Sequence, residues 1–181
     1  MTNLKNEVTK TVAMRIQSFK GWSILLALVL VATIAGAALA NNSNAVGHTF
    51  DNTFIKYAIN TPPAEGVIFN MVGDVDGDVG LGEYTGEVIS MSPDEENNIT
   101  TIQALYHFNG RKHAFTADVT VTQDDSAGTA TITGIVTEGW LKGASVTGEY
   151  NVLVSDCPIA TPDNLFGTVC FQGALHVHVP K

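Results

Sequence analysis

Ile102–Tyr150 reads IQALYHFNGRKHAFTADVTVTQDDSAGTATITGIVTEGWLKGASVTGEY, and this stretch decides the fold class. Three turn signals, Asn109-Gly110, Asp124–Gly128 (DDSAG) and Glu138–Gly143 (EGWLKG), separate four runs in which apolar and polar residues alternate. Alternation at period two between turns is the pattern of consecutive antiparallel strands, and Asn-Gly is the dipeptide of a tight hairpin turn. One parity gathers Tyr106, Phe108, Phe115, Ala117, Val119, Val121, Ala130, Ile132, Val136, Val146 and Tyr150. The other holds Gln103, His107, Thr116, Asp118, Thr120, Thr122, Thr131, Thr133, Thr147 and Glu149. A split of this kind means one dry face and one wet or packed on a partner.

Working outward, Thr53–Ile59 (TFIKYAI), Val67–Gly73 (VIFNMVG) and Glu83–Ser90 (EYTGEVIS) read as three earlier strands. The breaker-rich Asp74–Gly82 (DVDGDVGLG) reads as a turn, and Ser92–Asn98 (SPDEENN) as a solvated loop. Thr100–Phe108, His113–Thr122, Thr129–Thr137 and Ala144–Val154 follow, and Val169–Val179 closes the series. The apolar parity continues there through Phe171, Gly173 and Leu175, and the polar one through Gln172, His176 and His178. Regularly spaced short strands without a helical pattern predict an all-β sandwich or an up-and-down barrel. Glycines recurring on the apolar face (Gly86, Gly134, Gly148, Gly173) suit the tight coiling of a small closed barrel. The expectation is therefore an eight-stranded antiparallel barrel, its interior packed with side chains or open enough for one small ligand.

Residues 1–40 form a targeting segment. Lys5, Lys10, Arg15 and Lys20 precede an uncharged run, Ser23–Ala40, which ends AALA with Ala38 and Ala40 as small residues. This is the layout of a secretory signal peptide cleaved after Ala40. Met14 as the start gives it ordinary proportions. An uncleaved anchor is the alternative, since the run is nearly long enough to span a bilayer. Residues 41–52 then read as a flexible lead-in and 53–181 as the barrel domain. The expected location is secreted or periplasmic, with membrane contact only through the segment if it stays attached.

Removing residues 1–40 takes away four of nine basic residues and one of eighteen acidic ones, leaving a net charge of −12. Such a surface repels phosphate backbones and anionic lipid heads, so nucleic acid is not an expected partner. Cys157 and Cys170 are an even pair in a chain bound for an oxidising compartment, which predicts a disulfide around Pro158–Val169.

The stretch ALYHFNGRKHAFTADVTV with ATITGIVTEGWLKGASVTGEY resembles the allene oxide cyclase barrel, to which the plant dirigent proteins are related. The best match is Val136–Gly148, a glycine-rich turn, a large apolar residue and a glycine opening the next strand; Gly73-Asp74 after a strand also fits. The resemblance covers Ile68–Val154. It implies a calycin-like, eight-stranded antiparallel barrel with an apolar cavity, often a homo-oligomer and specifically a trimer. It also implies cyclase or isomerase chemistry by confinement, in which the cavity folds a reactive substrate into one conformer and excludes water. In the plant cyclases a buried Glu and an Asn-held water on the first strands act on an epoxide. TFIKYAI has no acid, so no catalytic residue is carried over.

Tyr84, Tyr106, Phe108, Phe115, Tyr150 and Phe171 are the residues expected to line a cavity, with Trp140 closing one mouth. The same aromatics would serve equally as packed core. Asp74, Asp76 and Asp78 are spaced as in a calcium loop, but Val79 stands where that loop needs glycine and Thr85 where it needs a bidentate Glu. His176 and His178 could chelate a metal only with a further ligand, for which Glu149 or Asn151 are the neighbours. Solvated side chains are the ordinary reading of both groups. No G-x-S-x-G and no phosphate-binding glycine loop occurs, and no cofactor is expected. The functional expectation is an exported barrel that binds a small apolar molecule. Its alternatives are a lipid or pigment carrier without chemistry, or a structural subunit with a filled core. An outer-membrane barrel is not expected from strands this short and an ending in Val-Pro-Lys.

Overall fold

The computed structural model of the chain describes residues 47–155, 157–159 and 161–181. The expected signal segment, with Met14, Ala38 and Ala40, and residues 41–46 of the expected lead-in lie outside them. Eight strands follow one another: β1 (His48–Ile59), β2 (Phe69–Gly77), β3 (Gly82–Asp94), β4 (Ile99–Gly110), β5 (Ala114–Asp124), β6 (Thr129–Gly139), β7 (Ser145–Leu153) and β8 (Cys170–Val179). Each pairs antiparallel with the next, and β8 returns to β1, so the sheet is a closed barrel. Closure removes both sheet edges, and with them the exposed rows of unpaired backbone groups. Among the described residues no helix is long and apolar enough to cross a membrane.

The period-two reading holds through the wall. Tyr106, Phe108, Phe115, Ala117, Val119, Val121, Ala130, Ile132, Val136, Val146 and Tyr150 are all buried in one core. Thr120, Thr122, Thr131, Thr133, Thr147 and Glu149 are exposed on the outside or partly so. Register shifts between Val88 and Ser90 and between Thr116 and Ala117 mark two bulges, which bend the strands around the barrel. Of the inner glycines, Gly173 shows why a side chain is excluded. A Cβ there would lie 2.7 Å from Tyr150 Cβ and would also strike the Glu149 carbonyl of the neighbouring strand.

Three boundaries differ from the sequence expectation. The first strand begins at His48 rather than Thr53, so the expected lead-in to residue 52 is cut short: Thr49–Asn52 pair with His178–Leu175. Asp74–Gly77 belongs to β2 instead of a turn, because Val75 is buried between the outward Asp74 and Asp76 and the run pairs with Asn52–Ile55. Likewise β3 continues to Asp94, with Met91–Asp94 paired to Ile102–Ile99. In each case a composition of turn or loop type concealed residues that pairing with a neighbouring strand draws into the wall.

The segment after β7 takes the place on β1 that a longer β8 would have filled. Leu165 N–H donates to the Ala58 carbonyl at 2.8 Å, Asn60 N–H donates to that of Asp163 at 2.9 Å, and Ile59 bridges to Asn164. Thr161 Oγ1 donates to the Tyr57 hydroxyl at 3.2 Å, which leaves Tyr57 buried on the side of β1 facing away from the barrel centre. Cys157 is joined to Cys170, the first residue of β8, with Cα atoms 5.3 Å apart. A link closing a loop of this length stabilises by about 3 kcal/mol through the unfolded chain. Replacing both cysteines by alanine is expected to lower the unfolding free energy by that amount, read as a lower denaturation midpoint in urea. A midpoint unchanged in the double variant, measured against the oxidised protein, would refute a stabilising role for the pair.

Candidate functional site

Most of the barrel's inward side chains are apolar, Thr100 and the tyrosine hydroxyls aside, and β1 adds an amide and an amine. Asn52, Phe54, Lys56 and Ala58 share the inward parity, and Lys56 is 2% exposed. Sequence reasoning passed over this lysine. Both parities of TFIKYAI carry apolar residues, so the pattern alone did not say which one faced inward. Coverage of the outer side by the Cys157–Cys170 loop is what makes both sides apolar.

Around Lys56 stand most of the expected cavity aromatics. The rings of Phe54, Tyr84, Tyr106 and Phe108 pack mutually, with centroids 5.3 Å apart for Tyr84–Tyr106 and 5.6 Å for Tyr84–Phe108. Phe115 stacks on Phe108 at 4.9 Å. Phe171 is only partly buried and meets Tyr150 edge-on at 5.4 Å. Tyr84 folds over Gly86, whose added Cβ would come within 3.0 Å of the Tyr84 ring carbon bearing the hydroxyl. Glycine at this position is therefore what lets the phenol lie at the centre.

Lys56 Nζ donates to the Tyr106 hydroxyl and, at 3.4 Å, to that of Tyr84. It also lies 3.8 Å from the Tyr106 ring centroid and 5.2 Å from those of Tyr84 and Tyr150. Among the described residues no carboxylate pairs with it. Burial alone therefore pushes the amine well below its ordinary range. Burial also pushes the Tyr84 and Tyr106 hydroxyls well above theirs; charge repulsion from Tyr106 and Tyr150 raises Tyr84 further, and that from Tyr150 raises Tyr106. Tyr150 is raised by burial and then by Asp125. Burial thus works against charge on the amine and on the phenols alike.

From this centre a polar chain leads toward the β5–β6 turn. The Tyr150 hydroxyl donates to Gln123 Oε1 at 2.8 Å, Gln123 Nε2 to Asp125 Oδ1 at 2.6 Å, and Thr100 Oγ1 to Asp125 Oδ2 at 2.7 Å. The opposite end is aromatic. Trp140, on the β6–β7 turn, stacks on His113 at 3.9 Å and meets Phe50 edge-on at 4.7 Å. Near that end Asn52 Oδ1 accepts from Val79 N–H at 2.9 Å, while its buried Nδ2 has no partner.

The metal candidates do not converge. Asp74 and Asp76 are exposed on β2, and Asp78 Oδ2 accepts from Asp51 N–H at 2.7 Å. His176 is held by Asp51 at 2.6 Å, and His178 by Thr49 at 3.1 Å and Thr147 at 2.7 Å. Among the described residues no three His, Cys, Asp or Glu side chains gather as a metal site. Two open grooves mark the outer wall, one of about 260 Å³ beside His107 and Thr116 and one of about 430 Å³ beside Thr131 and Glu149. The centre, by contrast, is occupied by the packed rings and Lys56. No protein-family model matches this chain, and no curated protein matches it.

The lysine's burial has a measurable signature. Unfolded, Lys56 keeps its proton up to about pH 10.4; folded, it gives that proton up at lower pH. Between those two values the unfolded state binds more protons, so stability rises with pH by about 1.4 kcal/mol per unit. Lys56→Met removes this slope. The variant is expected to be the more stable protein at neutral pH, its advantage shrinking as pH climbs toward about 10. Above that, buried tyrosines that stay protonated destabilise both proteins alike. Urea unfolding at stepped pH measures the difference, and one that stays constant with pH rules out a depressed lysine.

Proposed function

We propose that this is an exported barrel that takes a small apolar molecule at its centre, with Lys56, Tyr84 and Tyr106 meeting the molecule's polar group. The supporting observation is a buried lysine without a carboxylate partner, set among aromatic rings where an apolar side chain of similar volume would be more stable. Nothing about closing the barrel requires a cation at that place, so a role in recognition accounts for its cost. Phenols fixed in an apolar interior are the kind of few polar groups that a ligand site needs. Cyclase or isomerase chemistry by confinement, the activity of the barrels this chain resembles, would use the same groups. The Cys157–Cys170 pair supports export, since such links persist in oxidising compartments.

Because side chains occupy the centre, a ligand enters only by moving rings such as Phe108 or Tyr84. The same packing favours a second reading, a structural barrel with a filled core. Exposed Leu81, Ile89, Met91 and Ile135 on the outer wall add self-association to the proposal. Sedimentation of the protein, with a trimer expected, measures that part.

Native mass spectrometry of protein taken from its source separates the two readings. A co-purifying small molecule, lost after organic extraction, is the expected result. Addition of decanol to the extracted protein should then raise the melting temperature, since ligand at a hundred times Kd stabilises by about 2.7 kcal/mol. No bound molecule and no shift would leave the filled, structural barrel.

A further inference from the structure

Lys56 is more than a hydrogen-bond donor. A charged lysine would hold a ligand carboxylate, but the charged form is the one that burial disfavours here. An uncharged amine in an apolar site is instead a nucleophile toward carbonyl carbon. The surroundings match that chemistry. The Tyr106 hydroxyl touches Nζ and the Tyr84 hydroxyl stands 3.4 Å away, so a proton donor and acceptor flank the nitrogen. Aromatic faces on Phe54, Tyr106 and Tyr150 enclose it, which would keep water from reversing a condensation.

We propose that Lys56 is a covalent anchor, condensing with the carbonyl group of a small apolar aldehyde to form an imine at the centre of the barrel. The Nζ lone pair attacks the carbonyl carbon, and the carbonyl oxygen takes the Tyr106 proton. Tyr106 recovers a proton from the nitrogen, giving a carbinolamine. Tyr106 then gives its proton to the hydroxyl, which leaves as water as the C–O bond breaks and C=N forms, and Tyr106 takes back the remaining N–H proton; the balance is amine plus aldehyde to imine plus water, with no oxidant or reductant. Tyr106 is the proton carrier, with Tyr84 holding its orientation. This inference rests on the proposed ligand site and names the class of ligand.

The test is reductive trapping on the full chain. Protein is incubated near pH 7 with nonanal and cyanoborohydride, and the alkylated lysines are mapped by peptide mass spectrometry. One alkyl group is expected on Lys56, forming at least about tenfold faster than on the exposed Lys112 and Lys142. Tyr106→Phe should slow trapping at Lys56 by about a hundredfold, the low end of what a lost proton donor costs, with alkylation of Lys112 unchanged. Alkylation confined to surface lysines, or equal total trapping in Lys56→Met, overturns the proposal. Nonanol binding, followed by the thermal shift, is measured in parallel. Nonanol bound without trapping overturns the anchor and leaves the ligand site standing; neither bound nor trapped overturns both.

Discussion

Nine residue pairs between His48–Lys56 and Lys56's partner strand, Phe171–Val179, close the sheet, and every other feature of the molecule depends on that seam. It joins the first strand to the last, so its contacts are the most distant in sequence and the most costly in loop entropy to form. Once made, the seam removes both edges and turns one face of each strand inward. The dry parity of β4–β7 then has somewhere to go. The seam also carries Asn52, Phe54 and Lys56 into the interior, which makes β1 the strand that brings polarity to the core.

That polarity sets two demands against each other. Packing asks for a jigsaw of apolar side chains at the centre, and Phe54, Phe108 and Phe115 supply it. Lys56 asks for solvation or a counter-ion and receives instead two phenol oxygens and several ring faces. Burial pushes the amine toward its uncharged form, which is the form the proposed chemistry needs. A single desolvation effect thus links the core's energetics to its proposed chemistry. The polar chain through Tyr150, Gln123 and Asp125 at one end and the Trp140–His113 stack at the other give the interior two chemically different mouths.

Much of this was legible in the chain. The alternation in Ile102–Tyr150 identified the core residues of four strands, and Tyr84, Tyr106, Phe108, Phe115 and Tyr150 do meet around one point. The acidic stretches were harder. Asp74–Gly77 and Ser92–Asp94 look like turns because their composition is that of turns, yet a neighbouring strand's free backbone groups recruit them into the wall. Lys56 was missed for a different reason. Its strand is covered on both sides, and a residue's inward parity is invisible where the outward parity is also apolar.

The sequence by itself determined the series of eight strands, the dry face of β4–β7 and the pairing of Cys157 with Cys170. Those follow from local alternation and from a count of two cysteines, neither of which needs long-range knowledge. Only the tertiary structure decided where the lysine of TFIKYAI points, because that depends on β8 and the Thr161–Leu165 segment folding back onto β1 from more than a hundred residues away. It alone also showed that the aspartates of β2 and the histidines of β8 stay apart as metal ligands. Burial is a property of the closed barrel, and a strand carries it only once its neighbours are in place.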